Sequence, residues 1–548
     1  MADTNATRIF WVLVGAALLL RLWGIDYALP FVYWTDEYHE VMRAMELGAG
    51  GFNLQRTGKG GFYFLLFFEY GIYFVFLKLT GAVGSTKEFA ELFVRDPTMF
   101  YLLGRVTAAI FGCATVAFVY LLSKSAYRAT IGLLAALFMA VNVLHVDLSH
   151  RVGVDVPMTL FATMALYYGV RIAQGGGRRD YVLAGLSAAL ATTTKLPGIV
   201  VLLPLLIAHT YNVAAGPQRL RRWISSANVW VALVLFLVVW IGTNPGVVAA
   251  GDLLSLFSDS GEVATEEMPE GAARPNLWSF YLGVLRASMG WPLLLVSLAG
   301  AGYALWKRRP ADWMLLAYGV INYVAISSTT SEYLYFPRYT LPITVVLSLF
   351  AARLVVDVID RLPRWRGAVA TACILFLVAW PASHSARFSY SLTQTDTRTQ
   401  AREWFDSNVP AGSRVLVEGG KIAASRLTVP LEDSRESLDS RIEHWTRKEP
   451  RQAKYLGIRR EIHGGGGYAL ELVRVDSVRS LDEYLDRGVE YFVVRPDTFL
   501  GSRKAGSGSA ELLESLRTDA RIKRVARFDA GDSLRQGPPI EIYRKEAD

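Results

Sequence analysis

The spacing of apolar residues divides this chain in two. From residue 8 to about residue 385 they fall in runs close to the ~20 residues that cross a bilayer core. Short polar loops separate the runs. The pattern predicts membrane helices at 8–24, 100–122, 130–146, 157–174, 181–194, 196–213, 227–243, 279–306, 311–328, 339–357 and 366–384. The first run follows a single positive residue, Arg8, and no small-residue cleavage site follows it, so a retained signal anchor is expected. The expected fold is thus a polytopic α-helical membrane protein, about eleven transmembrane helices over residues 1–385. A small extracytoplasmic α/β domain over 386–548 should follow.

Charge orients the helices. Lys124 and Arg128, Arg171, Arg178 and Arg179, Arg219, Arg221 and Arg222, Lys307 to Arg309, and Arg361, Arg364 and Arg366 fill alternate loops. Loops of that kind stay on the cytoplasmic side. The run GFYFLLFFEYGIYFVFLKL at 61–79 is long enough to cross, yet one crossing there puts the basic loops out of alternation. It also carries Glu69 in its middle and aromatic residues throughout, as interfacial segments do. It is therefore expected on or partly in the outer leaflet; the alternative is a true span with an inverted N-terminus. Outer loops then cover 25–99, 147–156, 244–278 and 329–338, the third carrying the acidic stretch DLLSLFSDSGEVATEEMPE.

The tail alternates helical and strand patterns, as α/β domains do. Helices are expected at 398–408, SLDEYLDRG and SAELLESLRTDA, and strands at SRVLVE, VEYFVV, IKRVARF and IEIYRK. The Gly464–Gly467 run lacks the strand-to-helix setting of a phosphate loop and reads as a connection.

Composition adds little beyond this. Of 548 residues 52% are hydrophobic and 19% charged, and the net charge is +8. The cationic residues sit in loops where topology accounts for them, so no nucleic-acid partner is implied. Both cysteines, Cys113 and Cys373, lie within apolar runs, which excludes a disulfide framework or a cysteine metal site.

The candidate chemistry collects in the outer loops. Asp36 and Glu37, in FVYWTDEYHE, stand just beyond the first span, where carboxylates are costly without compensation. If 36–46 is helical, Asp36 and Glu40 share a face, with Arg43 close to it and Glu37 turned away. His39, Arg56 and Lys59 complete this loop's polar set. The second loop crowds Asp147, His150, Arg151 and Asp155 into one turn. His145, Asp147 and His150 match no specific zinc spacing. Asp155, ahead of Val156-Pro157, also fits a helix start, where the dipole favours a carboxylate. Lys195 and Arg338 are cationic residues at the outer boundary. They could snorkel to headgroups or neutralise a lipid-linked phosphate, and Tyr333, Tyr335 and Tyr339 form an aromatic belt around Arg338.

In these residues the chain resembles the GT-C glycosyltransferases, polytopic enzymes that use polyprenyl-phosphate sugars. It is similar to their protein O-mannosyltransferase and lipid A aminoarabinose transferase branch. The resemblance covers about 8–385 and rests on TDEYHEVMRAM, GKGGFYFLLF, RVTAAIFGCATVAFVYLLSK, RVGVDVPMTLF, TTTKLPGIVVLLPLL and FPRYTLPI in that order. It implies that Asp36 is the catalytic carboxylate, with Glu37 completing the acidic pair and Asp155 at the second-loop acidic position. Lys59 matches the carrier-phosphate ligand, although this chain reads Lys59-Gly60-Gly61 where that branch usually has Lys-Pro-Pro. Arg338 and Arg151 are added as further cations for the phosphate. No cofactor is assigned; a divalent metal between Asp36 and Asp155 stays open, because some GT-C branches use one and others do not.

The implied function is sugar transfer from a polyprenyl-phosphate donor to a hydroxyl acceptor by inverting displacement with a carboxylate base. The acceptor is a glycolipid, a polysaccharide or a protein. The expected location is a bacterial inner membrane, embedded in membrane lipid, with the site on the outer, periplasmic face. The rival readings are a secondary transporter and a non-catalytic membrane assembly protein. Transporters place charges near the bilayer midplane on broken helices, often with inverted repeats; here the charges gather at one surface.

Overall fold

The structure is a computed structural model that describes residues 2–48, 59–213, 219–246, 276–328, 335–362, 366–418, 428–448, 450–462, 466–473, 478–501, 508–531 and 534–546. Arg56, Tyr333, Gly464, Arg364 and the whole acidic stretch DLLSLFSDSGEVATEEMPE lie outside the described residues. The first outer loop contributes α2 (Thr35–Gly48), α3 (Gly60–Leu79) and α4 (Thr86–Arg95) after α1 (Ala2–Leu22). Then come α5 (Thr98–Ala126), α6 (Ala129–Ala140), α7 (Val143–Leu148), α8 (Asp155–Ala173) and α9 (Arg178–Thr194). A 3₁₀ turn at Leu196–Val201 leads into α10 (Leu202–Val213), followed by α11 (Arg219–Ser225) and α12 (Ala227–Thr243). The membrane part closes with α13 (Leu277–Met289), α14 (Trp291–Lys307), α15 (Pro310–Ser327), α16 (Leu341–Ile359) and α17 (Arg366–Leu392).

Among the described residues, seven helices are long and apolar enough to cross a membrane, or eight if α13 and α14 form one span. The expected count of about eleven is therefore too high by that measure. Six of the expected spans coincide with such helices, at α1, α5, α8, the 3₁₀ turn with α10, α16 and α17. The seventh is α3, the run that pattern and charge assign to the outer leaflet. Phe68, Ile72, Val75, Phe76 and Leu79 on α3 are exposed to what would be lipid, and Glu69 is held by Thr107 of α5 at 2.8 Å.

Two expected spans break, for separate physical reasons. The run 130–146 stops at Ala140 because Asn142 starts a new helix, its Oδ1 accepting the backbone N–H of His145 at 3.0 Å. Arg21, fully buried, covers the freed carbonyls, donating to Ala140 O at 3.2 Å and Met139 O at 3.5 Å. Non-helical backbone at membrane depth survives only with such internal partners. The run 279–306 bends by 114° between α13 and α14. Gly290 makes that corner at φ 77°, and a Cβ there would meet the Trp380 ring at 2.9 Å.

Small residues let the central helices approach closely. Ala184, Ala188, Ala189 and Ala191 of α9 and Ala162 and Ala165 of α8 are all buried in one core with Leu166, Met314, Val345 and Phe350.

In the tail, α18 (Thr397–Asn408), β1 (Arg414–Glu418), α19 (Arg435–Lys448), α20 (Pro450–Ile462) and β2 (Ala469–Val473) come first. Next are α21 (Leu481–Asp486), β3 (Tyr491–Val494), α22 (Pro496–Gly501), α23 (Gly508–Thr518), β4 (Ile522–Phe528) and β5 (Ile540–Lys545). The strands form one sheet in the order β2-β1-β3-β5-β4. β1 is parallel to both β2 and β3, while β5 is antiparallel to β3 and β4. Alternation along the strands fills both faces, with Val415, Val417, Tyr491 and Val493 in one cluster and Leu416, Phe492 and Val494 in the other. α17 runs through residue 385 and ends at Leu392, so the chain enters the α/β fold near Thr397.

The tail is seated on the first outer loop. Asp396 accepts from Tyr27 Oη at 2.5 Å, Arg398 lies 3.8 Å over the Tyr33 ring, and Tyr33 Oη meets Thr399 at 2.8 Å. Further along, Tyr455, Ile458 and Ile462 of α20 pack onto the cluster of Val41, Leu47, Phe62 and Leu66 that joins α2 to α3.

Candidate active site

α2 opens with Thr35, Asp36 and Glu37 in its first turn, where the helix dipole favours acids. The two acids then part company. Asp36 remains 61% exposed and pairs with the Arg338 guanidinium, which arrives from the short turn Pro337–Thr340 ahead of α16. Glu37 is fully buried. Its Oε1 accepts from Arg105 Nε at 2.9 Å and from Val152 N at 2.8 Å, and its Oε2 accepts from Arg105 Nη2 at 2.8 Å. Both oxygens have partners within the protein. The two acids expected as a pair thus stand apart: Asp36 faces out, and Glu37 ties the first outer loop to α5 and to the second outer loop. Arg105 extends that tie by donating to Ile25 O at 3.0 Å and Tyr27 O at 2.8 Å.

Asp155, at the first turn of α8, is buried and accepts from Lys195 Nζ at 2.6 Å. Lys195 sits at the junction between α9 and the 3₁₀ turn, 4.5 Å over the Tyr339 ring. Tyr339 is the residue after Arg338, and the charges of Arg338 and Lys59 also bear on Asp155. Asp36, Arg338, Asp155 and Lys195 thus form one alternating cluster drawn from four segments.

Lys59 reaches its position by an unusual route. It caps α3, and Gly60 N and Gly61 N donate to Asn244 Oδ1 and Thr193 Oγ1, both at 3.2 Å. A Cβ on Gly60 would lie 1.7 Å from the Thr243 carbonyl oxygen, and one on Gly61 2.4 Å from Thr193 Cγ2. Only glycines permit this approach to the ends of α9 and α12, which accounts for Lys59-Gly60-Gly61 in place of Lys-Pro-Pro. The Lys59 ammonium meets Glu40 Oε1 at 2.7 Å. Burial alone works against its charge, but the Glu40 carboxylate outweighs this and holds its pKa above the usual lysine value.

Arg151 is not joined to this cluster. Asp147 binds its guanidinium, which lies 4.5 Å over the Trp34 ring. The two histidines of the second loop are structural as well. His145 Nδ1 meets Arg21 Nη2 at 2.7 Å, and the His150 nitrogens face Val146 O at 2.8 Å and Trp23 O at 3.2 Å. Among the described residues, no three His, Cys, Asp or Glu side chains are grouped to hold a metal ion. A cavity of about 430 Å³ opens elsewhere, between the outer end of α1 and the start of the tail, lined by Asp26, Tyr27, Asp396 and Glu403 among others.

Residues 100–242, from α5 to α12, match the family model described as dolichyl-phosphate-mannose-protein mannosyltransferase. The match is confined to this stretch, about a quarter of the chain, and there the chain is similar to that family. The matched segment holds Arg105, Arg151, Asp155 and Lys195, whereas Asp36, Lys59 and Arg338 lie outside it.

No curated protein matches the chain in sequence. Among solved structures, ArnT from Cupriavidus metallidurans in the apo state superposes with a TM-score of 0.49 at 14% identity, covering 99% of this chain and 98% of that one. The same protein bound to undecaprenyl phosphate gives 0.48 at 15% identity, with 97% of each chain covered. The apo oligosaccharyltransferase of Archaeoglobus fulgidus gives 0.49 at 12% identity, covering 90% of this chain and 70% of that one. With scores below 0.5, these overlays decide nothing about donor or acceptor.

Sequence reasoning missed Arg105. Arg105 looked like one more residue of a membrane span; the signal that marks it is a lone arginine in an otherwise apolar run, which is rare without a partner.

Proposed function

We infer that this glycosyltransferase moves a sugar from a polyprenyl phosphate to an acceptor hydroxyl, with Asp36 as general base and Lys59, Arg338 and Lys195 as the cations that meet the phosphate. The observation that carries the reading is the pairing of three acids, Asp36, Glu40 and Asp155, with three cations, Arg338, Lys59 and Lys195. An acceptor oxygen attacks the anomeric carbon from the face opposite the phosphate, so the centre inverts. As the carbon–oxygen bond to phosphate breaks, the phosphodiester monoanion becomes a phosphate dianion, and the acceptor proton passes to Asp36. The charge gained by the leaving group equals the charge lost by the base, so the total within the site does not change. General-base help of this kind is worth about 10²–10⁴ in rate, and fixed cations at the developing charge add to it without reorganising.

Asp155 holds Lys195 rather than touching the sugar, and Glu37 and Arg151 position the two outer loops. Asp36 and Asp155 each face a side-chain cation, Arg338 and Lys195, which a divalent metal at these acids would have to displace. The positive-inside pattern of the basic loops supports an outer-facing site in a bacterial cell membrane, with the tail on the same side.

The test is transfer by purified protein in nanodiscs from radiolabelled polyprenyl-phosphate hexoses and pentoses, with glycolipid, polysaccharide and peptide acceptors. The expected product has an inverted anomeric centre, and Lys59→Ala and Arg338→Ala bind polyprenyl phosphate more weakly. A product of retained configuration, or unchanged lipid-phosphate binding in both variants, rejects this mechanism.

A further inference from the structure

Glu40 is the acid that no part of this mechanism uses directly. It sits one helical turn below Asp36 on α2, on the same face. The residue is 4% exposed. Its Oε1 accepts from Lys59 Nζ, while its Oε2 is buried with no hydrogen-bond partner among the described residues. A buried carboxylate ordinarily has both oxygens satisfied, as Glu37 does three positions earlier. Glu40 thus leans on a single cation, the one assigned to the donor phosphate, and its remaining negative charge is left unspent beside it.

We propose that Glu40 is a positioning and release residue: its carboxylate holds the Lys59 ammonium in place and competes with the lipid phosphate for it, so that the dianionic product is expelled after transfer. The inference rests on the assignment of Lys59 to the donor phosphate. Before transfer, the bound phosphodiester carries one negative charge and coexists with the Glu40–Lys59 pair. After transfer, the leaving phosphate carries two charges and faces a buried carboxylate that cannot give up its only partner cheaply, since an unpaired buried charge is strongly unfavourable. Repulsion therefore rises at the moment the product must leave. Product release sets the turnover rate in many enzymes, and Glu40 acts on that step.

The consequence has a sign that structural damage would not produce. Glu40→Gln keeps the shape and one hydrogen bond to Lys59 but removes the charge. Undecaprenyl phosphate, titrated onto the purified variant in nanodiscs, should bind about tenfold more tightly than to the wild-type chain, the scale of one unit charge removed a few ångströms away in a partly wet site. Steady-state turnover should fall while the first turnover stays fast. Lys59→Ala is the control for the parent assignment. If Lys59→Ala leaves binding unchanged, the phosphate site itself is misassigned. If Lys59→Ala weakens binding while Glu40→Gln also weakens it or leaves it unchanged, the phosphate site stands and the release role is wrong. Glu40→Asp, which restores the charge on a shorter arm, should return affinity toward the wild-type value; affinity that stays at the Glu40→Gln level also overturns the proposal.

Discussion

Two adjacent acids at the mouth of one helix take opposite roles, and the difference is decided by burial. Asp36 is exposed and answers to one cation; Glu37 is enclosed and uses every lone pair it has within reach. Removing one partner of a buried pair leaves the other charge uncompensated, which costs about 3–5 kcal/mol. Glu37→Gln should therefore lower the melting temperature sharply in any detergent, while Asp36→Asn leaves it at the wild-type value. Equal melting temperatures for the two variants would contradict the division of roles. A second residue-scale effect comes from His150. Burial against Trp23 and Phe388 pushes its pKa down to about 4, against the pull of the Val146 carbonyl and Asp147 and with help from Arg21. The folded protein resists a proton that the unfolded chain accepts near pH 6.5, so this contribution is complete above pH 6.5 and is lost as the pH falls toward about 4. The loss approaches roughly 1.4 kcal/mol per pH unit in that window. His150→Gln should flatten the melting temperature between pH 6.5 and 4.5 relative to the wild-type chain.

At the scale of elements, the site depends on backbone approach as much as on charge. The turn Lys59-Gly60-Gly61 is docked by two N–H donors onto Thr193 and Asn244, with the Gly60 Cα close to the Thr243 carbonyl. Gly60→Ala should displace Lys59 and weaken polyprenyl-phosphate binding, whereas Gly71→Ala, on the same helix with open space around it, should not. Equal affinity in the two variants would mean that the glycine turn does not position Lys59. The apolar runs made most of the membrane helices readable, and the tail's alternation located α18, β1, β3, β4 and β5 within a residue or two. β2 and the pair α19 and α20 were not foreseen, because their charged, low-hydropathy stretch shows no clear period. The breaks at Ala140 and Gly290 were missed for another reason. Run length records how much apolar sequence is present, but not that Asn142 caps a new helix or that Gly290 takes a positive φ. In the same way, the acidic doublet was visible and its split was not, since helix phase alone does not say which side a neighbouring arginine will come from.

Across the whole molecule, the charged cluster is assembled from segments far apart in the chain: α2, the turn before α3, the start of α8, the end of α9 and the turn before α16. The tail packs on the first of these by way of Tyr27, Tyr33 and α20, so contacts run from the α/β domain to the segments that carry the charged cluster. Arg338 and Lys195 already face Asp36 and Asp155, so on the proposed mechanism EDTA should leave the transfer rate unchanged, and a rate that collapses in EDTA and returns with added divalent ion would contradict it. The most direct measurement is release of polyprenyl phosphate from a sugar-loaded donor by wild-type and Asp36→Asn protein in nanodiscs, each with its lipid-phosphate affinity measured in parallel. The account predicts release by the wild-type chain and a loss of about 10² or more in Asp36→Asn, with affinity for polyprenyl phosphate retained. Release by Asp36→Asn at the wild-type rate would contradict it.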